Sequence, residues 1–94
     1  MHYVLVRHKV EEYNKWKNIY DGNMENRKNN GSKGSHVFRS AENPDELVIL
    51  FEWDDLDNAR KFFESEDFKI KVRTAGIPDE PDIYFLEGIG RTPA

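Results

Sequence analysis

The segment that most restricts the fold is Glu46-Leu47-Val48-Ile49-Leu50-Phe51-Glu52-Trp53. Its middle five residues are apolar without a break, whereas a strand with one wet face alternates apolar and polar. The run is far shorter than the roughly 20 apolar residues of a membrane helix, and its Val, Ile, Phe and Trp favour a strand. Both faces must therefore be covered, Leu47, Ile49 and Phe51 on one and Val48 and Leu50 on the other.

The flanking chain supplies helices and strands in alternation. Residues 2–9 hold a β-branched and aromatic cluster without turn residues and read as a strand. From Glu11 to Asn30 the period changes: Tyr13, Trp16, Tyr20, Met24 and Arg27 step by three and four, which predicts one helix with a mostly apolar stripe. Gly22 inside it costs about 1 kcal/mol relative to alanine, no good N-cap residue precedes it, and Asn29-Asn30-Gly31 ends it. Residues 33–40 form a second, more polar strand, and Ala41 to Asp45 a turn. After Trp53, Asp54 or Asp55 caps a helix carrying Leu56, Ala59, Phe62 and Phe63. Ser65 caps a further helix, with Phe68, Val72 and Ala75 on one face and Gly76-Ile77-Pro78 at its end. Residues 81–87 form the last strand, and residues 89–94 a loose tail behind a single domain spanning 1–88.

The order β-α-β-β-α-β implies an α+β, ferredoxin-like sandwich with a four-stranded antiparallel sheet. The first and third strands take its centre, and they are the two richest in Val, Leu and Ile. Helices cover one face of such a sheet, yet the third strand is apolar on both. A second copy of the chain is the simplest cover, so the expectation is a homodimer built sheet against sheet into an α/β barrel. The size agrees, because a chain of 94 residues buries only about 60–65% of its unfolded surface.

Composition removes several function classes. Without cysteine there is no disulfide framework, thiolate zinc site, iron–sulfur cluster or cysteine nucleophile. The N-terminus lacks the basic, apolar and small-residue succession of a secretory signal, and the reading is a soluble cytoplasmic protein with no membrane partner. Net charge is −4, with 11 acidic against 6 basic groups after residue 47. A phosphate-backbone binder needs the opposite balance, so nucleic acid is not an expected partner.

Trp53, then Phe62-Phe63, then Ser65-Glu66-Asp67-Phe68-Lys69 form a pattern: an aromatic at a strand end, a helix, and a Ser-x-x-Phe-Lys restart. In this the chain resembles, over residues 2–88, the small dimeric α/β-barrel proteins related to antibiotic-biosynthesis monooxygenases. That group includes cofactor-free oxygenases, haem-degrading enzymes and proteins of no known activity. The haem-degrading branch carries a tryptophan three residues before the serine and a haem-ligating histidine seven residues after it; these places hold Phe62 and Val72. Valine cannot ligate iron, and no histidine follows His36. An ungapped match sets Arg7 at that branch's strand-one asparagine. The resemblance thus implies a cofactor-independent oxygenase, with no metal or organic cofactor, acting on a phenolic or quinol-like substrate. The cofactor-free branch's pocket Asn, Trp, Tyr and Arg groups have no one-to-one match in this chain. The alternative is a non-catalytic small-ligand-binding or stress-associated module on the same scaffold.

Polar groups on otherwise apolar strands are the chemical candidates: Arg7, His8, His36, Arg39 and Glu52. One reading places them at strand ends or a dimer rim, exposed or paired. The other makes Arg7, His8 and Arg39 catalytic, the arginines stabilising a substrate anion and the histidine taking its proton. Alternation puts Arg7 and His8 on opposite faces, so without a bulge only one reaches a given pocket. His36, Trp53, Phe62 and Tyr84 are the candidate ligand-pocket residues, with core packing as the competing role for the aromatics. Asp54, Asp55 and Asp57 are better explained by helix capping than by a cation. Gly31-Ser32-Lys33-Gly34-Ser35 lacks the spacing of a phosphate loop.

Overall fold

A computed structural model describes all residues 1–94. The strands are β1 (His2–Lys9), β2 (Ser32–Arg39), β3 (Glu46–Trp53) and β4 (Asp82–Glu87), and the helices α1 (Tyr13–Gly22), α2 (Met24–Asn29), α3 (Leu56–Phe63) and α4 (Glu66–Thr74). The strands form one antiparallel sheet in the order β2-β3-β1-β4. This is the ferredoxin-like arrangement, with the two most aliphatic strands in the centre.

The helix expected across residues 11–30 is two helices. Gly22 and Asn23 are poor helix formers in sequence, and Asn23 leaves helical geometry at φ −97°, ψ 8°. Its N–H still reaches the carbonyls of Ile19 and Tyr20, and its own carbonyl accepts from Arg27 N–H at 3.0 Å, so the chain restarts at once. The break turns Met24 out to solvent, 59% exposed, and takes it off the expected apolar stripe. Trp16 and Arg27 are buried.

The second helical region is divided as its caps dictate. Asp55 accepts from Asn58 N–H at 2.7 Å and opens α3, and Ser65 accepts from Phe68 N–H at 3.1 Å and opens α4. Gly31, at φ +113°, joins α2 to β2. Its carbonyl accepts from Asp54 N–H at 2.9 Å, and a Cβ there would collide with the Asp54 carboxylate.

All helices lie against one face of the sheet. That face carries Val4, Val6 and His8 of β1 and Leu47, Ile49, Phe51 and Trp53 of β3, all buried. Trp53 packs against Phe62 and Phe63 at centroid distances of 5.1 and 5.2 Å. The opposite face has no helix over it. The register there sets His36, Leu50, Leu5 and Tyr84 in one row, and Phe38, Val48, Arg7 and Asp82 in the next.

Candidate functional site

Between the sheet and the helices lies a cavity of about 70 Å³. Val6, His8, Ile49 and Phe51 form its floor, the helices contribute aromatics, and no Asp or Glu lines it. One wall is a run of rings: His8 lies 5.9 Å from Trp16, which stacks on Tyr20 at 4.7 Å, and Tyr20 approaches Phe51 at 6.3 Å. The Tyr20 hydroxyl is hydrogen-bonded to Ser35 Oγ, which fixes the ring against β2. Phe62, Phe63 and Phe68 close the other side. Phe63, Phe68 and Val72 also line an adjoining surface groove of about 310 Å³.

His8 is 8% exposed, and burial pushes its pKa below the usual histidine value, opposed by its backbone hydrogen bond. It is therefore neutral at pH 7. Its Nδ1 lies 3.1 Å from the Lys9 carbonyl oxygen, which only accepts, so Nδ1 carries the proton. The lone pair is then on Nε2, which has no protein partner and is not sealed from open space. A neutral imidazole in this tautomer can take a proton from a ligand.

Arg27, also 8% exposed, is the second polar group. Its guanidinium lies 3.9 Å over the Tyr20 ring, and Nη1 donates to the Tyr20 carbonyl at 2.7 Å, at the break between α1 and α2. It forms no ion pair. The ion pairs are Arg7–Glu46, Arg7–Asp82 and Lys17–Asp21. Burial lowers the pKa of Arg27, against the pull of Tyr20 and Asp21, but a guanidinium stays protonated in proteins. Asn23 and the half-buried Lys71 complete the polar lining.

Of the residues expected from sequence, His8 and Phe62 line this cavity. Arg7 lies on the helix-free face, its Nη2 donating to Asp82 at 3.0 Å, and its pKa is raised by that hydrogen bond and charge. His36 and Tyr84 lie on the same outer face, His36 against Phe38 at 4.2 Å and Tyr84 half exposed. Arg39 is exposed near the end of β2, 4.8 Å over the Tyr13 ring. Trp53 is buried beside the cavity, its indole N–H donating to the Asn30 carbonyl at 2.9 Å. Strand parity thus turns Arg7, His36 and Tyr84 away from the helices and from His8, whereas Arg39 shares the row of Leu47 and His8 but lies exposed at the end of β2 over Tyr13 of α1, outside the cavity. Arg27 was legible only as a member of a helical stripe. The signal for more was the lack of any acid one turn away, at positions 23, 24, 30 or 31.

No protein-family model and no curated protein matches the sequence. Solved structures do match in fold, and most are antibiotic biosynthesis monooxygenase-like proteins. A provisional antibiotic biosynthesis monooxygenase from Bordetella bronchiseptica has a TM-score of 0.77 at 16% identity, covering 94% of this chain and 96% of that one. SnoaB, a cofactor-independent oxygenase from Streptomyces nogalater, has a TM-score of 0.77 at 11% identity, covering 99% and 97%. A conserved protein from Methanosarcina mazei Go1 has a TM-score of 0.71 at 22% identity, covering 90% and 89%. The chain has the ferredoxin-like fold of these proteins. No helix is long and apolar enough to cross a membrane.

Proposed function

We propose that the protein oxidises a phenolic or quinol-like small molecule with dioxygen, without a bound cofactor, in the cavity that His8 lines. The observation that carries this reading is the neutral His8 in an aromatic chamber, with Nδ1 engaged by the Lys9 carbonyl and Nε2 unpartnered. The fold shared with SnoaB, itself a cofactor-independent oxygenase, supports it.

With an anthrone-type substrate, Nε2 takes the acidic C–H proton and the resulting enolate donates electrons to dioxygen. One oxygen atom becomes the new carbonyl and the other leaves as water. The substrate supplies all four electrons. The cationic guanidinium of Arg27 stabilises negative charge in the chamber.

A cavity of about 70 Å³ is smaller than the roughly 150 Å³ site that accepts benzene in an engineered protein. An aromatic substrate therefore needs more room, which we assign to an outward shift of α4. That helix has no fully buried side chain, and Phe68 and Val72 lie between the cavity and the larger surface groove.

We further infer that the helix-free face joins two copies of the chain. Leu5, Val48 and Leu50 are half-buried there, while Phe38, Tyr84 and Leu86 are 45%, 51% and 39% exposed. An apolar surface of this kind marks an interaction site, and a self-complementary contact closes a two-fold dimer.

The test is oxygen uptake by metal-free protein over a panel of anthrones and hydroquinones, against heat-killed protein. Saturable uptake that is lost in His8→Ala supports the oxygenase. Saturable binding without uptake replaces it by the ligand-binding module.

A further inference from the structure

We propose that the cavity selects a flat ligand carrying a carboxylate, an aromatic acid whose anionic group is held by Arg27 with Lys71 beside it. This rests on the cavity being the ligand site and names the substrate class within the reading above: a phenol or quinol that is also an aromatic acid.

The first support is a charge imbalance. The protein carries a net charge of −4, yet the cavity is lined by Arg27 and Lys71 and by no carboxylate. Asp21, whose charge pulls on Arg27, is held by Lys17 at 2.7 Å, and Glu25, two residues before Arg27, is exposed and forms no ion pair. A buried cation without a counter-ion is costly and gains most from an anion brought by a ligand.

The second support is unused hydrogen-bonding capacity. Arg27 has five N–H donors, and its one protein acceptor is the Tyr20 carbonyl, on Nη1. Its Nε and Nη2 have no protein acceptor and are not sealed, since His2 Nδ1 is the only fully buried side-chain nitrogen without a partner. A role as a clip on the α1–α2 break accounts for Nη1 and for stacking on Tyr20. It leaves the Nε–Nη2 edge, the edge that binds a carboxylate by two parallel hydrogen bonds, without use.

The third is the layout. Arg27 touches Tyr20, His8 touches Trp16, and the two rings stack on each other. This wall of the cavity therefore has a cation at its Tyr20 end and a neutral base at its Trp16 end. One polar group orients the acid and the other faces the hydroxyl.

The experiment is calorimetric titration of the full chain under nitrogen, so that no turnover occurs, with salicylate and 4-hydroxybenzoate against their primary amides. The amides match the acids in shape but carry no charge. The expected result is saturable binding of at least one acid, about tenfold or more tighter than its amide, as a charge-assisted hydrogen bond provides. The preference should shrink as salt is raised. Arg27→Gln should abolish the acid-over-amide preference, Arg27→Lys should keep part of it, and Lys71→Gln, on a helix with no fully buried side chain, should reduce it without unfolding. Thermal melts of each variant separate loss of binding from loss of fold. Equal affinity for acid and amide, no binding of either, or a preference that survives Arg27→Gln in folded protein overturns the proposal. Oxygen uptake separates the two readings. Acid preference without uptake sinks the oxygenase alone, and uptake of quinols together with equal binding of acid and amide sinks the carboxylate selection alone.

Discussion

Arg7 and Asp82 are register partners on β1 and β4, and the Arg7 Nη2 donates to Asp82 Oδ2 at 3.0 Å on the face that no helix covers. Neighbouring His8 points the other way, into the helical layer. One peptide bond thus separates a surface ion pair from a cavity base. Arg7→Ala is expected to leave oxygen uptake unchanged, while His8→Ala removes it. Initial rates of the two variants with one active quinol check this directly.

His8 also sets a pH dependence. Its folded pKa is lowered from 6.5, chiefly by burial, so below pH 6.5 the unfolded chain binds a proton that the native state refuses. Stability is therefore fully present above about pH 6.5 and is lost as pH falls through the lower folded value. His8→Gln removes this component of the slope, which denaturant unfolding at a series of pH values reads. Uptake by the native chain falls over the same acidic range as Nε2 becomes protonated, and an acid limb lying above pH 6.5 would contradict the assignment.

Much of this was legible from local pattern. The uninterrupted apolar run fixed β3 at residues 46–53, and cap residues placed α3 and α4, because these signals act over a few residues. The opposition of Arg7 and His8 followed from strand parity. Which of them met the helices did not, since Tyr3 and Leu5 are as apolar as Val4 and Val6. The break at Asn23 also escaped, because a single glycine is tolerated in helices and the stripe continues in register through Arg27. The role of Arg27 depends on what α3, α4 and the sheet bring around it, and no local spacing encodes that.

Trp53 is a core residue with one polar obligation. Trp53→Phe keeps the ring contacts with Phe62 and Phe63 but leaves the Asn30 carbonyl without its indole donor. A loss of about 1–3 kcal/mol is expected in chemical denaturation. Trp53→Ala adds a cavity and costs about 3–5 kcal/mol. Because Trp53 does not line the chamber, the folded fraction of Trp53→Phe should retain wild-type ligand affinity. A Phe variant of full stability but lost binding would place the tryptophan in the site instead.

Gly31 tests the joint between the two halves. At φ +113° it occupies backbone that other residues avoid, and any Cβ meets the Asp54 carboxylate. Gly31→Ala combines backbone strain with that collision, and the loss should exceed the roughly 1 kcal/mol that glycine replacement changes at an unstrained site. Asp54→Ala relieves the collision but not the strain. The double variant should therefore be less destabilised than the sum of the two single changes, which a double-mutant cycle measures.

Leu50 decides the assembly. Its row on the helix-free face runs His36, Leu50, Leu5, Tyr84, so a charge there lies at the centre of the proposed contact. Within one chain the substitution is tolerable, because that face has no helix against it and the carboxylate of Leu50→Glu stays hydrated. In the proposed dimer the same carboxylate is buried in the contact between two sheets, where an unpaired charge is costly. Sedimentation at micromolar concentration should give a dimer for the native chain and a folded monomer for Leu50→Glu. A native chain that sediments as a monomer, or a Leu50→Glu variant that remains dimeric, removes this face as the interface.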